Sequence, residues 1–123
     1  MTSNAFDLAT FVPSSVNVRG IAKAWVNFNG QSTVSIRDSD NLSSMTDNGV
    51  GTYTANISSS MANANYSTGG GASRSATELL GGIQFYNSSG TATTSSFDIN
   101  TYSYGASNHD FPYVSAQSFG DLV

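Results

Sequence analysis

The sequence predicts an all-β protein, an antiparallel β-sandwich of jelly-roll-like layering built from seven or eight short strands. Three observations carry that prediction. The first is composition: of 123 residues only 10% are charged while 11% are aromatic, and Ser, Thr, Asn and Gly dominate the rest. The second is apolar residues that recur at every second position in short runs, the period of a half-buried strand. The third is turn chemistry, with Asn-Gly, Asp/Asn and Gly clusters interrupting those runs at the spacing of a sandwich or barrel. Disordered chains combine low hydrophobicity with high net charge and few aromatics. Here seven Phe, six Tyr and one Trp supply the material for one modest core. A chain of this length fits one domain, read as an N-terminal arm over 1–19 and a sandwich over 20–123.

The arm has no clean period. Phe6, Leu8, Phe11 and Val12 are apolar and Pro13 interrupts any regular element; the segment is either frayed or docked on a neighbouring subunit. Alternation begins in 23–29, with Ala24, Val26 and Phe28 on one face and Lys23, Trp25 and Asn27 on the other. Asn29-Gly30 is a hairpin signal because both residues tolerate positive φ. Residues 33–37 alternate again with Val34 and Ile36 inward, and 38–41 reads as a turn of Asp and Asn. A short extended piece over 42–45 leads to a second turn over 46–51. Tyr53, Ala55 and Ile57 then share the inner face of a clear strand, and a further strand begins near Asn65.

Gly69-Gly70-Gly71 breaks the pattern, so 69–82 reads as a flexible excursion, with Ser73 to Leu80 the one stretch suited to a helical turn. Ile83 and Phe85 share a face of the next strand, and Ser88-Ser89-Gly90 is a turn. Phe97 and Ile99 point inward from a strand over 96–101, 102–112 is an aromatic loop, and Val114 to Phe119 forms the closing strand.

Charge and composition exclude several functions. The formal net charge is −4 and the four basic residues, Arg19, Lys23, Arg37 and Arg74, are scattered. Nucleic acids are bound by clustered Lys and Arg that release counterions from phosphates, so no nucleic-acid partner is expected. With no cysteine there is neither disulfide nor thiolate metal site. No run reaches the ~18 apolar residues of a membrane span, so no membrane insertion is expected. The first residues show neither the basic nor the apolar region of a secretory signal.

Catalytic chemistry has little to draw on. His109-Asp110 is the one His–carboxylate neighbour pair, and adjacent residues rarely face each other. The Gly-x-Ser-x-Gly elbow is missing. Asp38-x-Asp40-Asn41 offers hard oxygens of the type Ca²⁺ favours, without the spacing of an EF-hand loop, and reads as an ordinary turn. No enzyme activity, metal or cofactor is expected. Recognition of a neutral ligand fits better than catalysis, since aromatic faces and amides bind glycans without charge. Packing of the late-loop aromatics in the core or in a subunit interface is nonetheless the favoured reading. Tyr102, Tyr104, His109, Phe111 and Tyr113 in the late loop, together with Trp25, are the candidate receptor or interface contacts, because Tyr and Trp are enriched in interfaces.

One stretch is more specific. Residues 22–30 (AKAWVNFNG), 34–41 (VSIRDSDN), 43–54 (SSMTDNGVGTYT) and 61–66 (MANANY) resemble a domain of phage tail-fibre and other phage structural proteins, with looser similarity over 94–101 (TSSFDINT) and 114–120 (VSAQSFG). The resemblance implies a virion structural role, as a tail-fibre-like or tail-tip module used in host attachment. It also implies assembly with other copies, expected as a homotrimer, and with other virion proteins of tail or capsid. A host-surface glycan is the receptor class suggested by the aromatic, amide-bearing late loop. The resemblance carries no catalytic residues. The alternative placement, argued from small size, is a capsid decoration or cement protein that clamps shell subunits.

Overall fold

Strict alternation of large apolar and small polar side chains gives strands that are wet on one side and dry on the other, and two such sheets bury their dry faces together. The computed structural model describes residues 20–74, 81–86 and 92–123. It contains β1 (Ala24–Asn29), β2 (Ser35–Asp40), β3 (Leu42–Gly49), β4 (Thr52–Ile57), β5 (Ser67–Ser73), β6 (Gly82–Gln84), β7 (Ser96–Tyr102) and β8 (Tyr113–Phe119). The first sheet has the order β2-β1-β8-β5 and the second β3-β4-β7-β6, and every pairing is antiparallel. The protein is a β-sandwich of two four-stranded sheets, the layering of a jelly roll, with no helix among the described residues. First and last strands lie side by side, Val26 opposite Ala116.

The core is made by four central strands. Ala24, Val26 and Phe28 of β1 and Val114 and Ala116 of β8 face Tyr53, Ala55 and Ile57 of β4 and Phe97 and Ile99 of β7. Full burial of each of the larger side chains contributes about 1.5–3 kcal/mol. Phe28 meets the Tyr53 ring edge-on at 5.0 Å between centroids, an arrangement aromatic pairs prefer.

The chain passes between sheets through a single residue. β2 runs to Asp40, Asn41 adopts a left-handed φ of 56°, and β3 starts at Leu42 on the other layer. Asn tolerates this region better than other non-glycine residues. Its side chain uses both ends: Nδ2 donates to the carbonyls of Lys23 and Ser59, and Oδ1 accepts from the Ser59 amide at 2.7 Å. The predicted turn over 38–41 is therefore one residue long, with Asp38 and Asp40 inside a strand.

Other expectations are corrected in the same way. The turn predicted over 46–51 is mostly strand, and only Val50-Gly51 separates β3 from β4. Val34 packs on the core, but Ile36, on the edge strand β2, is 40% exposed and outside it. A register shift between Asn27 and Phe28 bends the β1–β2 pairing there. Lys23, expected on the wet face, lies buried ahead of β1, its amide bonded to the Ser118 carbonyl. The strand placed near Asn65 begins at Ser67.

Gly69-Gly70-Gly71 is not an excursion but the middle of β5, in register with Gln117, Ala116 and Ser115 of β8. Ladder hydrogen bonds hold a segment whose side chains give no strand signal. The helical turn expected up to Leu80, the turn at Ser88-Ser89-Gly90 and the arm over 1–19 lie outside the described residues.

The three glycines differ. A Cβ on Gly70 would overlap the Ser115 carbonyl oxygen, whereas one on Gly71 would meet nothing within 4 Å. Gly70→Ala is expected to cost about 1–3 kcal/mol through steric overlap. Gly71→Ala is expected to be neutral or to stabilise by up to about 1 kcal/mol, because glycine loses most entropy on folding. Urea denaturation of both variants checks this, and equal losses would contradict the assigned register.

Candidate functional site

A buried phenol organises one end of the sandwich. Tyr53, central in β4, is fully buried, so its hydroxyl needs partners there. It lies 2.6 Å from Asp110 Oδ1 and 3.1 Å from the Gly30 carbonyl, acceptors on two different loops. The same Asp110 oxygen accepts the Gly51 amide at 2.7 Å. The Gly51 carbonyl in turn accepts from the Thr101 amide, while the Thr101 carbonyl accepts the His109 amide and the Thr101 hydroxyl donates to the His109 carbonyl. Burial, then the Asp110 carboxylate, pushes the Tyr53 hydroxyl far above the usual tyrosine value. Burial also raises Tyr66 to about 12, with Asp98 adding to it; its hydroxyl faces the carbonyls of Thr93 and Ser96.

This network scatters the aromatic residues expected to form one surface. Phe111 is fully buried in the core and is not a surface contact. Its carbonyl accepts the Gly30 amide, which pulls the residue inward. His109 packs edge-on against the Phe111 ring at 4.8 Å, with Nε2 3.0 Å from an Arg74 guanidinium nitrogen. Its carboxylate neighbour Asp110 is turned away toward Tyr53, so the pair forms no dyad. Tyr102 ends β7, opposite Gly82 of β6. Tyr104, 83% exposed, sits at the tip of the 103–112 loop beside Gly105 and Ala106, both at positive φ.

Tyr113 and Trp25 do share a surface, the outer face of the first sheet. Successive rows across that face hold Asp40, Trp25, Gln117 and Gly69, then Asp38, Asn27, Ser115 and Gly71, with Tyr113 opposite Ser73 in the next row. Arg37 stacks on the Tyr113 ring, its guanidinium carbon 4.5 Å from the centroid. It also donates to Asn27 Oδ1 and to the Pro112 carbonyl. Beside this pair runs a shallow groove of about 270 Å³ lined by Asn27, Gly71, Ser73, Tyr113 and Ser115.

The outer face of the second sheet is different in kind. Thr54 donates to Asp98 and accepts from Asn48, while Asn56 donates to Ser44 and Thr46. The side chains of Thr54, Asp98 and Asn56 are thus engaged on this face, whereas Asn100 Oδ1 on the same side of β7 is buried without a partner among the described residues. Asn41 is turned away from Asp38 and Asp40 by its bonds to Lys23 and Ser59, so the acidic triplet does not converge. No group of three His, Asp or Glu side chains suited to a metal occurs among the described residues.

No family model, curated protein or solved structure matches this chain. The site therefore rests on its own geometry.

Sequence reasoning reached Trp25 and Tyr113 but not Arg37, Asn27, Ser115 or Gly71, which come together from four strands. Alternation did carry part of the signal, since it places Trp25 and Asn27 on the wet side of β1 and Ser115 on that of β8. The pairing order that makes these neighbours has no local signature.

Two outcomes test the network. Asp110→Ala leaves the Tyr53 hydroxyl and the Gly51 amide without their acceptor and is expected to cost about 2 kcal/mol, with Asp110→Asn losing less. Chemical denaturation measures both. For the tyrosines the folded pKa lies above the unfolded value of 10.0, so the fold favours the neutral phenol. That stabilisation is complete below pH 10 and is lost as pH rises toward the folded values. Circular dichroism and phenolate absorbance should report unfolding coupled to late ionisation. Tyr66→Phe should lower stability at neutral pH and flatten its alkaline decline.

Proposed function

We propose that this chain is a non-catalytic structural module of a bacteriophage particle, tail-fibre-like or at the tail tip, assembled as a homotrimer and used in host attachment. One observation carries the reading: the residues that resemble the phage domain are those that build the scaffold. Ala24, Val26 and Phe28 enter the core, Arg37 clasps Asn27, Asn41 makes the corner and Tyr53 anchors the loop end. A motif spent on architecture suits a protein whose work is to hold a shape and present a surface.

The surface itself supports attachment over catalysis. The described carboxylate nearest the one histidine is committed to Tyr53 and Gly51, and the open groove is lined by hydroxyl, amide and phenol groups. Val50 and Tyr104 are large side chains left exposed on connections between strands, where contacts to other subunits are made without disturbing a sheet.

Gold-labelled antibody against the chain, applied to purified particles of its phage, is expected to decorate the tail tip. Label spread over the capsid lattice would make it a decoration protein, and no label on any particle would overturn the virion reading. Light scattering of the purified protein is expected to give the mass of three chains; a monomer mass would overturn the trimer.

A further inference from the structure

We propose that the groove beside Tyr113 on the outer face of the first sheet is a binding site for a neutral saccharide; the inference deepens the attachment reading and rests on it. The groove is built from unlike parts. Tyr113 is 44% exposed, and Arg37, stacked on the ring and bonded to Asn27 and Pro112, fixes its position. An aromatic ring held in place offers a flat apolar platform at little entropic cost. Hydroxyls of Ser73 and Ser115 and the Asn27 amide line the same groove, able to accept from and donate to ligand hydroxyls. Among the described residues no carboxylate lines it, and the guanidinium beside it, that of Arg37, is already engaged by Tyr113, Asn27 and Pro112, which suits an uncharged polyol ring.

The size agrees. About 270 Å³ falls just under the ~300–1,000 Å³ of pockets for drug-sized ligands and matches a ligand on the scale of a sugar ring. The wall opposite Tyr113 is the bare backbone of Gly71. Among the described residues nothing demands glycine there: a Cβ would meet no described atom within 4 Å, and the residue is not among the described glycines of positive φ. Close approach of a ligand or another backbone is one of the recurring uses of a glycine inside a strand. A side chain at this position would stand in the groove.

The test titrates isotope-labelled protein with D-glucose, D-galactose and D-mannose at millimolar concentrations, following backbone amide signals by NMR. At least one sugar is expected to shift Gly71, Ser73 and Ser115 while leaving the second sheet unmoved. Gly71→Val, which fills the groove, and Tyr113→Ala, which removes the platform, are each expected to weaken that response at least tenfold. Tyr104→Ala on the distant loop should leave it unchanged.

Absence of a response to all three sugars overturns the site, as does a response that survives Gly71→Val in a folded variant. A fall in solution mass on Gly71→Val also overturns it, by making this face a contact between copies. Virion labelling separates this inference from the reading beneath it. A chain found on particles yet silent to sugars loses the site alone. A sugar-binding chain absent from particles keeps the site and loses the attachment role.

Discussion

The hydroxyl of Tyr53 is the constraint on which the loop end of this fold depends. A phenol brought into a core of Phe28, Phe97 and Ile99 must find an acceptor or forfeit the gain of its burial. Here it reaches the end of β1 at Gly30 and the late loop at Asp110, and through Asp110 the β3–β4 turn at Gly51. Three connections thus meet at two bonded oxygens, the Tyr53 hydroxyl and Asp110 Oδ1. The packing is close enough that a Cβ on Gly30 would overlap the Tyr53 hydroxyl. Phe111 enters the core after Asp110, and within β8 alternation with the buried Val114 sends Tyr113 outward.

Asn41 does the corresponding work at the other end. Without it the passage from β2 to β3 would leave the Lys23 and Ser59 carbonyls and the Ser59 amide in need of other partners. Clamped at Tyr53 and at Asn41, the sandwich can leave its two outer faces to different uses. The second sheet bonds its own polar groups to one another across Thr54, Asp98 and Asn56. The first sheet places an aromatic, a guanidinium and bare glycine backbone side by side, a surface with unspent recognition capacity.

Much of this fold is legible in the sequence where strands are central. Tyr53, Ala55 and Ile57, or Phe97 and Ile99, alternate strictly because both neighbours of each strand are other strands and one face is wholly buried. Edge strands lose that signal. β2 is largely exposed and bulged, so Ile36 follows the period yet escapes the core. β5 holds three glycines whose place in the sheet comes from β8 and not from their own propensity. Phe111 misleads for a related reason: it lies in a loop by sequence, but the Gly30 amide reaches its carbonyl and draws the ring inward. The groove escapes any linear reading because its residues lie on three strands whose order the chain does not spell out.

The two sides of the groove differ in how far they are tied to the fold. Asn27 and Arg37 belong to the stretch that builds the corner and the core strands, and a change in either would disturb the β1–β2 pairing as well as the groove. Gly71 and Ser73 belong to an edge strand, on the side facing away from the core, with open space above Gly71. A substitution there alters the shape of the groove without touching Phe28, Tyr53 or the Asn41 corner. One wall is tied to folding and the other is free of it, and the Arg37–Tyr113 contact is where the two meet. The shape of this face can thus change at Gly71 at little cost to stability, whereas Gly70 beside it is fixed by its contact with Ser115.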